Sequence, residues 1–461
     1  MFREFFVDFE DEMCYTESTN CKGGNIMVNV SAFTGGTDNE ILETAIAGRD
    51  ADGIVYIPAR VSELEPERNW WLLDRAILIP ENTTVILQNC KIKLSDRCRD
   101  NFFRSANCGM GVENPERIHN IHLKGEGLCI LEGADNPRAT GDGGKILANP
   151  CPYLPEDIAK YASYASEQVK TTGVPTRDDM HAYSYGTDAD VEGESHCGDW
   201  RGIGVLFANV ENFTIENLHL IDTHGWGISL EACSHGQIRD IAFADCMSLN
   251  VNRMLQNMEN QDGIDIRNGC HHINISDISG HTGDDVVALT AIVPDKWTYK
   301  PGGSMCSTHV MPNDWNTRDR DIHDISIRNV FAYSTLCRII RLLPCNSHIW
   351  NVNIDNVVDI TPDTVPAMNP DNSPILLGDL DRGYGRNLAD SLKNIAISNV
   401  SCHRSHVIDL MGYLKNSTIR NIVNRQKGGT FIRCYRPDGM NRVTTENIHC
   451  FDGDINNERK L

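Results

Sequence analysis

Apolar residues in this chain recur in a short strand-like unit, Ile-x-Asn/Asp-aliphatic, and hardly anywhere in helical spacing. The unit reads IHNI at 118–121, IENL at 215–218, IRDI at 238–241, ISDI at 275–278 and IRNV at 327–330. It continues as IDNV at 354–357, ISNV at 397–400, IRNI at 419–422 and TENI at 445–448. Successive units start 97, 23, 37, 52, 27, 43, 22 and 26 residues apart. Periods of this size belong to solenoids, and the long intervals leave room for insertions or a skipped unit. Within each unit β-branched residues alternate with polar ones, and Asn, Asp and Gly punctuate the ends. The pattern predicts an all-β fold, a single-stranded parallel β-helix with Ile, Val and Leu stacked inward coil upon coil.

Two stretches break the pattern. NEILETAIAG (39–48) places Ile41, Leu42, Ala45 and Ile46 on one helical face. That suits an N-terminal capping helix over the open edge of the first coil. A stretch at about 134–200 is rich in Gly, Pro, Asp and Tyr, with one possible helix at 155–169. A long excursion from a rigid scaffold is expected to build or cover a binding site. The expected organisation is an N-terminal extension over 1–24, then one β-helix domain over 25–461 carrying that insertion.

Charge and cysteine usage narrow the partners. Of 461 residues, 42 are basic and 64 acidic, a net charge of −22. Nucleic acid and anionic membrane both need a basic footprint, so neither is expected as a partner. The start, MFREFFVDFEDEMCYTES, lacks the layout of a secretion signal. Seventeen cysteines are scattered without CxxC pairs, and Cys246, Cys270 and Cys402 fall at strand-like positions. They read as reduced thiols packed as small hydrophobes in a cytoplasmic protein. The histidines show no HExxH spacing, and no GxxxxGK or GxSxG motif occurs. Neither a metal nor a cofactor is expected, and oligomeric state is not legible.

The candidate chemistry lies in NQDGIDI (260–266) and TGDD (282–285). Asp262 precedes Asp285 by 23 residues, one coil, and Ile264 and Ile266 should then lie opposite Val287 and Leu289. Stacked coils are about 4.8 Å apart, so Asp262, Asp284 and Asp285 should share one corner. Crowded carboxylates push at least one pKa upward. A carboxylic acid beside a carboxylate is the pairing that glycoside hydrolysis uses. Asp-Gly turns are common in β-proteins, and such a cluster also suits calcium; the one-coil spacing favours catalysis.

From about residue 25 onward the chain resembles the family 28 glycoside hydrolases, the polygalacturonase-like group of right-handed β-helix enzymes. The resemblance is carried by VNVSAFTGGTDNEILETAIAGRDADGIVYIPA (28–59), by WRGIGVLFANVENFTIENLHLIDTHGWGISLEAC (200–233), and by NQDGIDI and TGDD. It implies an inverting glycosidase in which Asp284 is the general acid while Asp262 and Asp285 hold and deprotonate water. The family's Gly-His-Gly motif is matched only by His309, and its Arg-Ile-Lys motif reads CRIIRLL (337–343). Arg338 falls in the arginine slot, Ile340 in the lysine slot, and Arg341 one step on. These basic residues grip a uronate in that family, so a galacturonate substrate is not implied.

His224 and Trp226, in DTHGWGIS (222–229), sit on the preceding coil, where a ring could stack on a sugar. Together with His309, Arg338 and Arg341 they are the candidate substrate-binding residues, the two arginines serving equally well as ion-pair partners of the acids. His281 could tune Asp284, and the loops at 378–387 and 434–439 could wall the groove. The leading expectation is an exo-acting glycosidase for short oligosaccharides, with the insertion closing the groove into a pocket. A lyase or epimerase on the same solenoid, or a non-catalytic carbohydrate-binding β-helix, are the alternatives.

Overall fold

The computed structural model describes residues 28–29, 36–49, 51–61, 65–95, 98, 100–109, 112, 114–135, 199–245, 248–251, 254–257, 261–293, 309–311, 320–362, 372–380, 386–451 and 458–459. The proposed extension (1–24), the possible helix (155–169) and Cys246 lie outside the described residues, as does nearly all of the 134–200 insertion. Two long parallel sheets run the length of a right-handed β-helix. One is built from strands such as Val210–Ile221, Ser234–Ala244, His271–Thr282, Ile322–Ser334 and Ile349–Asp359. The other stacks Val205–Ala208, Ile228–Glu231, Ile264–Arg267, Val287–Ile292, Ile340–Cys345 and Ile375–Leu377. Among the described residues no helix is long and apolar enough to cross a membrane.

The repeat has a stereochemical cause. Asn217, Asp240, Asp277, Asn329, Asn356, Asn399, Asn421 and Asn447 all hold positive φ, between 52° and 61°. Among residues with a side chain, Asn and Asp tolerate this left-handed region best. A single such residue bends the strand and resets its alternation, so the apolar residues on either side both face inward. Ile215 and Leu218, Ile275 and Ile278, Ile354 and Val357 are accordingly buried at 1% exposure or less.

The registers resolve the uneven intervals. Ile215 pairs with Ile238, Ile238 with Ile275, Ile275 with Ile327, Ile327 with Ile354 and Ile354 with Ile397. Every interval from 215 onward is therefore one coil, and the long ones are coils with insertions, not skipped units. IHNI at 118–121 belongs elsewhere: Ile121 pairs with Phe213, so Asn120 aligns with Asn212. Each of these coils has another bend five residues earlier, at Asn212, His235, His272, Asp324, Asn351, Asn394, Asn416 and Arg442, and Asn120 of IHNI stands on that ladder with Asn82.

The capping helix is Asp38–Ala47, opened by a capping box in which Thr37 Oγ1 accepts from Glu40 N and Glu40 Oε2 accepts from Thr37 N. Leu42, Ala45 and Ile46 are buried against the first coil and Ile41 packs at its edge. Further along the core, Ile354 sits between Ile327 and Ile397 with none of the three more than 1% exposed. Ile354→Ala is expected to cost roughly 2–5 kcal/mol, read as a lower urea midpoint, because coils above and below prevent collapse into the cavity.

Candidate active site

Ile264 pairs with Val287 and Ile266 with Leu289, the offset of 23 that the acidic turns require. The ladder extends one rung before these strands. Gly227 N donates to Asp262 O (2.7 Å), Gly263 N to Asp285 O (2.8 Å) and Val286 N to Arg338 O (2.9 Å). Trp226, Asp262, Asp285 and Arg338 thus occupy one column on four successive coils. Asp262 is 6% exposed and Asp285 1%. Asp284 is half-buried at the lip.

The turn holding Asp284 is tightly specified. Asp284 N donates to Gln261 O (3.0 Å), and Asp284 O accepts from the buried Thr282 hydroxyl (2.7 Å). Its Oδ1 accepts from Asp285 N (2.9 Å). The Cys337 thiol donates to the Asp284 carboxylate, and burial together with the two carboxylates pushes that thiol far up. Ligand-capable atoms of Asp284, Asp285 and Cys337 lie within 4.8 Å of one another.

Asp285 is held from both sides. Oδ1 accepts from Arg338 N (3.0 Å), and Oδ2 faces Arg341 Nη1 at 3.1 Å. Burial pushes its carboxyl up to about 6; the Arg341 charge pulls it back and Asp284 raises it further. Two crowded carboxyls therefore sit in unlike environments, the condition that separates an acid from a base.

The candidate binding residues fall into three groups. Arg338 is buried, its guanidinium 3.3 Å from Asp409 and 3.2 Å from Ser373 O, while Arg341 joins Asp285 and approaches Asp379 at 3.8 Å. Of the two uses expected for these arginines, the structure shows the ion-pair one. Ile340, in the lysine slot, points into the core with 0% exposure. His224 is buried, its Nε2 accepts from Ala134 N (2.7 Å), and burial lowers its pKa to about 4, so the ring is neutral. Trp226 lies under the Arg267 guanidinium at 4.7 Å. His309 is enclosed, with Nδ1 2.6 Å from Glu231 Oε1 and Nε2 2.7 Å from Arg267 Nη2. For His224 and His309 to touch substrate, these hydrogen bonds would have to be given up.

Trp226 and Glu231, on the coil before Asp262, instead form one wall with Arg267 and His309 that straps 309–311 to the sheet; Val310 N also donates to Glu231 Oε2 (2.9 Å). Glu231 and Arg267 carry no motif, and their only sequence signal is a charge at a strand position whose neighbours Leu230 and Ile266 are core. His281 stacks on Tyr333 at 5.1 Å, in register on the next coil. Of the two proposed wall loops, Asp379 reaches Arg341, whereas Arg436 is turned to Met411 O (2.7 Å) and Tyr413. A depression lined by Asp359, Thr361, His403 and Arg425 lies on later coils of the same edge and holds none of the three acids.

Comparison with known proteins fits this site. The model of glycosyl hydrolases family 28 matches residues 195–302. The matched segment contains all three candidate acids. With the fold, this match supports a glycosidase. No curated protein matches the chain at a significant level. Among solved structures, a surface adhesin of Streptococcus pneumoniae, PfbA, shares 10% identity over 93% of this chain and 91% of its own, with a TM-score of 0.51. The hyperthermoactive exopolygalacturonase of Thermotoga maritima shares 14% identity over 92% of this chain and 93% of its own, with a TM-score of 0.47. The family 28 exopolygalacturonase of Yersinia enterocolitica shares 12% over 91% and 78%, with a TM-score of 0.40. At these identities the likeness speaks for the fold alone, and only the first reaches a TM-score of 0.5.

Proposed function

We propose that the protein is an inverting glycoside hydrolase that trims short oligosaccharides from one end. The observation that carries this reading is the column of Asp262 and Asp285 on adjacent coils, with Asp284 beside it at the lip. Asp284, the most accessible of the three, protonates the leaving glycosidic oxygen. Asp262 and Asp285 hold a water on the other side of the anomeric carbon and take its proton, giving a single displacement. Arg341 keeps Asp285 ionised enough to serve as a base despite its burial.

Insertions around the corner support exo action. The 134–200 excursion leaves after Glu132, which aligns with Ile221; the hairpin of Ser248–Val251 and Met254–Asn257 leaves after Ala244 on the Asp262 coil. Residues 363–371 follow Asp359, which aligns with Ala332 just before the Cys337 turn. All three leave from the corner that holds the acids, an arrangement that favours a pocket over an open groove.

The engaged arginines and the inward Ile340 disfavour a uronate in the reacting position, so we propose a neutral terminal sugar. Free thiols packed along the core, such as Cys233, Cys270 and Cys402, support a reducing, cytoplasmic setting. The test is a panel of neutral and uronate-containing oligosaccharides and polymers, with products resolved by chain length. Release of single neutral sugars from short chains is expected. Internal cutting of polymers would overturn the exo reading, a preference for uronates the substrate reading, and binding without turnover the enzymatic one.

A further inference from the structure

We propose that His272, His323 and Asp324 form a binding site for a divalent transition cation, zinc or a neighbour of like softness, at the far end of the strand that leads into Asp284. This site does not depend on the hydrolase reading.

Its origin lies in the earlier of the two bends in each coil. Where that bend is Asn, its amide bonds the same position on the preceding coil: Asn120 Nδ2 to Asn82 Oδ1 (2.6 Å), Asn212 to Asn120 (2.7 Å), Asn351 to Asp324 (3.0 Å) and Asn394 to Asn351 (3.0 Å). On two successive coils the bend is instead His235 and His272. His272 Nε2 stands 3.8 Å from Asp324 Oδ2, too long for a hydrogen bond. His323 Nδ1 approaches the same oxygen at 2.7 Å. Ligand atoms of the three residues all lie within 4.8 Å of one another.

Zinc–ligand distances of about 2.0–2.1 Å give a tetrahedral edge of about 3.3–3.4 Å. The separations of His272 and His323 from the Asp324 carboxylate fall on either side of that edge. Two imidazoles and one carboxylate suit zinc, nickel or copper, whereas magnesium and calcium prefer all-oxygen sets.

The ligands are already oriented. Asn351 Nδ2 holds Asp324 Oδ1, leaving Oδ2 aimed at the histidines. The His323 ring is sandwiched between His271 at 4.9 Å and Trp350 at 4.2 Å, and Lys393 lies over Trp350. His272 stacks on His235 at 5.0 Å, its Nδ1 lies 2.8 Å from His271 Nδ1, and the residue is exposed, so a cation enters from solvent and water completes its coordination.

The test is zinc chloride titration of the full chain by calorimetry, comparing wild type with His272→Ala, Asp324→Asn and His235→Ala. Wild type is expected to bind one more zinc equivalent than His272→Ala or Asp324→Asn, with His235→Ala like wild type and no magnesium response. Asp324→Asn retains the Oδ1 acceptor for Asn351, so it reports on the site even if His272→Ala folds poorly. Equal zinc stoichiometry in wild type and Asp324→Asn would overturn the proposal. So would loss of the equivalent in His235→Ala alone.

Discussion

Asp284→Asn is expected to lower the rate of glycan hydrolysis roughly a thousandfold, the usual share of a general acid. The substitution is close to isosteric, and Asn retains the Oδ1 that accepts from Asp285 N, so the turn should stay folded. An unchanged melting temperature beside the lost rate separates a chemical role from a structural one. Removing the Asp284 charge also lowers the Asp285 pKa, because that charge helps to raise it. Whatever residual activity remains should therefore show its acidic limb at lower pH than wild type. A variant with nearly full activity would move the proton-donor role away from Asp284.

Arg341→Gln is expected to have the second-largest effect, with a sign that pH reveals. Burial holds the Asp285 carboxyl up at about 6, and Arg341 is the main influence pulling it down. Without Arg341 the carboxyl titrates higher still. As a base Asp285 must be ionised, so the acidic limb of kcat/KM, expected near pH 6 in wild type, should move to higher pH. Activity lost at neutral pH should return partly in mildly alkaline buffer. Stability follows the same group with the opposite sense. A carboxyl whose folded pKa lies above its unfolded value stabilises the fold below about pH 4, and that contribution is lost as pH rises through about 6. Breaking the pair leaves an uncompensated charge, costing roughly 3 kcal/mol at neutral pH. Part of that loss should be recovered near pH 5, where Asp285 is protonated. A pH-independent loss of both rate and stability would mean that Arg341 acts only through packing.

The coil and its register were legible because an Asn or Asp bend leaves a local mark, two inward aliphatics three residues apart. The 23-residue step from Asp262 to Asp285 was legible because it matches the short repeat intervals and sets Ile264 and Ile266 opposite Val287 and Leu289. Sequence could not tell the two bends of one coil apart, since IHNI and IENL look alike while Asn120 and Asn217 stand on different ladders. Nor could it find Glu231, which lies 78 residues from its partner His309 and is joined to it only by the winding. Arg341, 56 residues from Asp285, was legible as an ion-pair partner but equally as a substrate contact. The histidine site was hidden for the same reason: His272 and Asp324 are adjacent only because 272 and 324 are the same bend on neighbouring coils.

If three acids at one corner carry out a single displacement at an anomeric carbon, the first sugar released has the inverted configuration. Proton NMR of the first sugar released, recorded before mutarotation, tests it most directly. Wild type is expected to release the inverted anomer and Asp284→Asn none. A retained anomer, or a product with a new double bond, would contradict it.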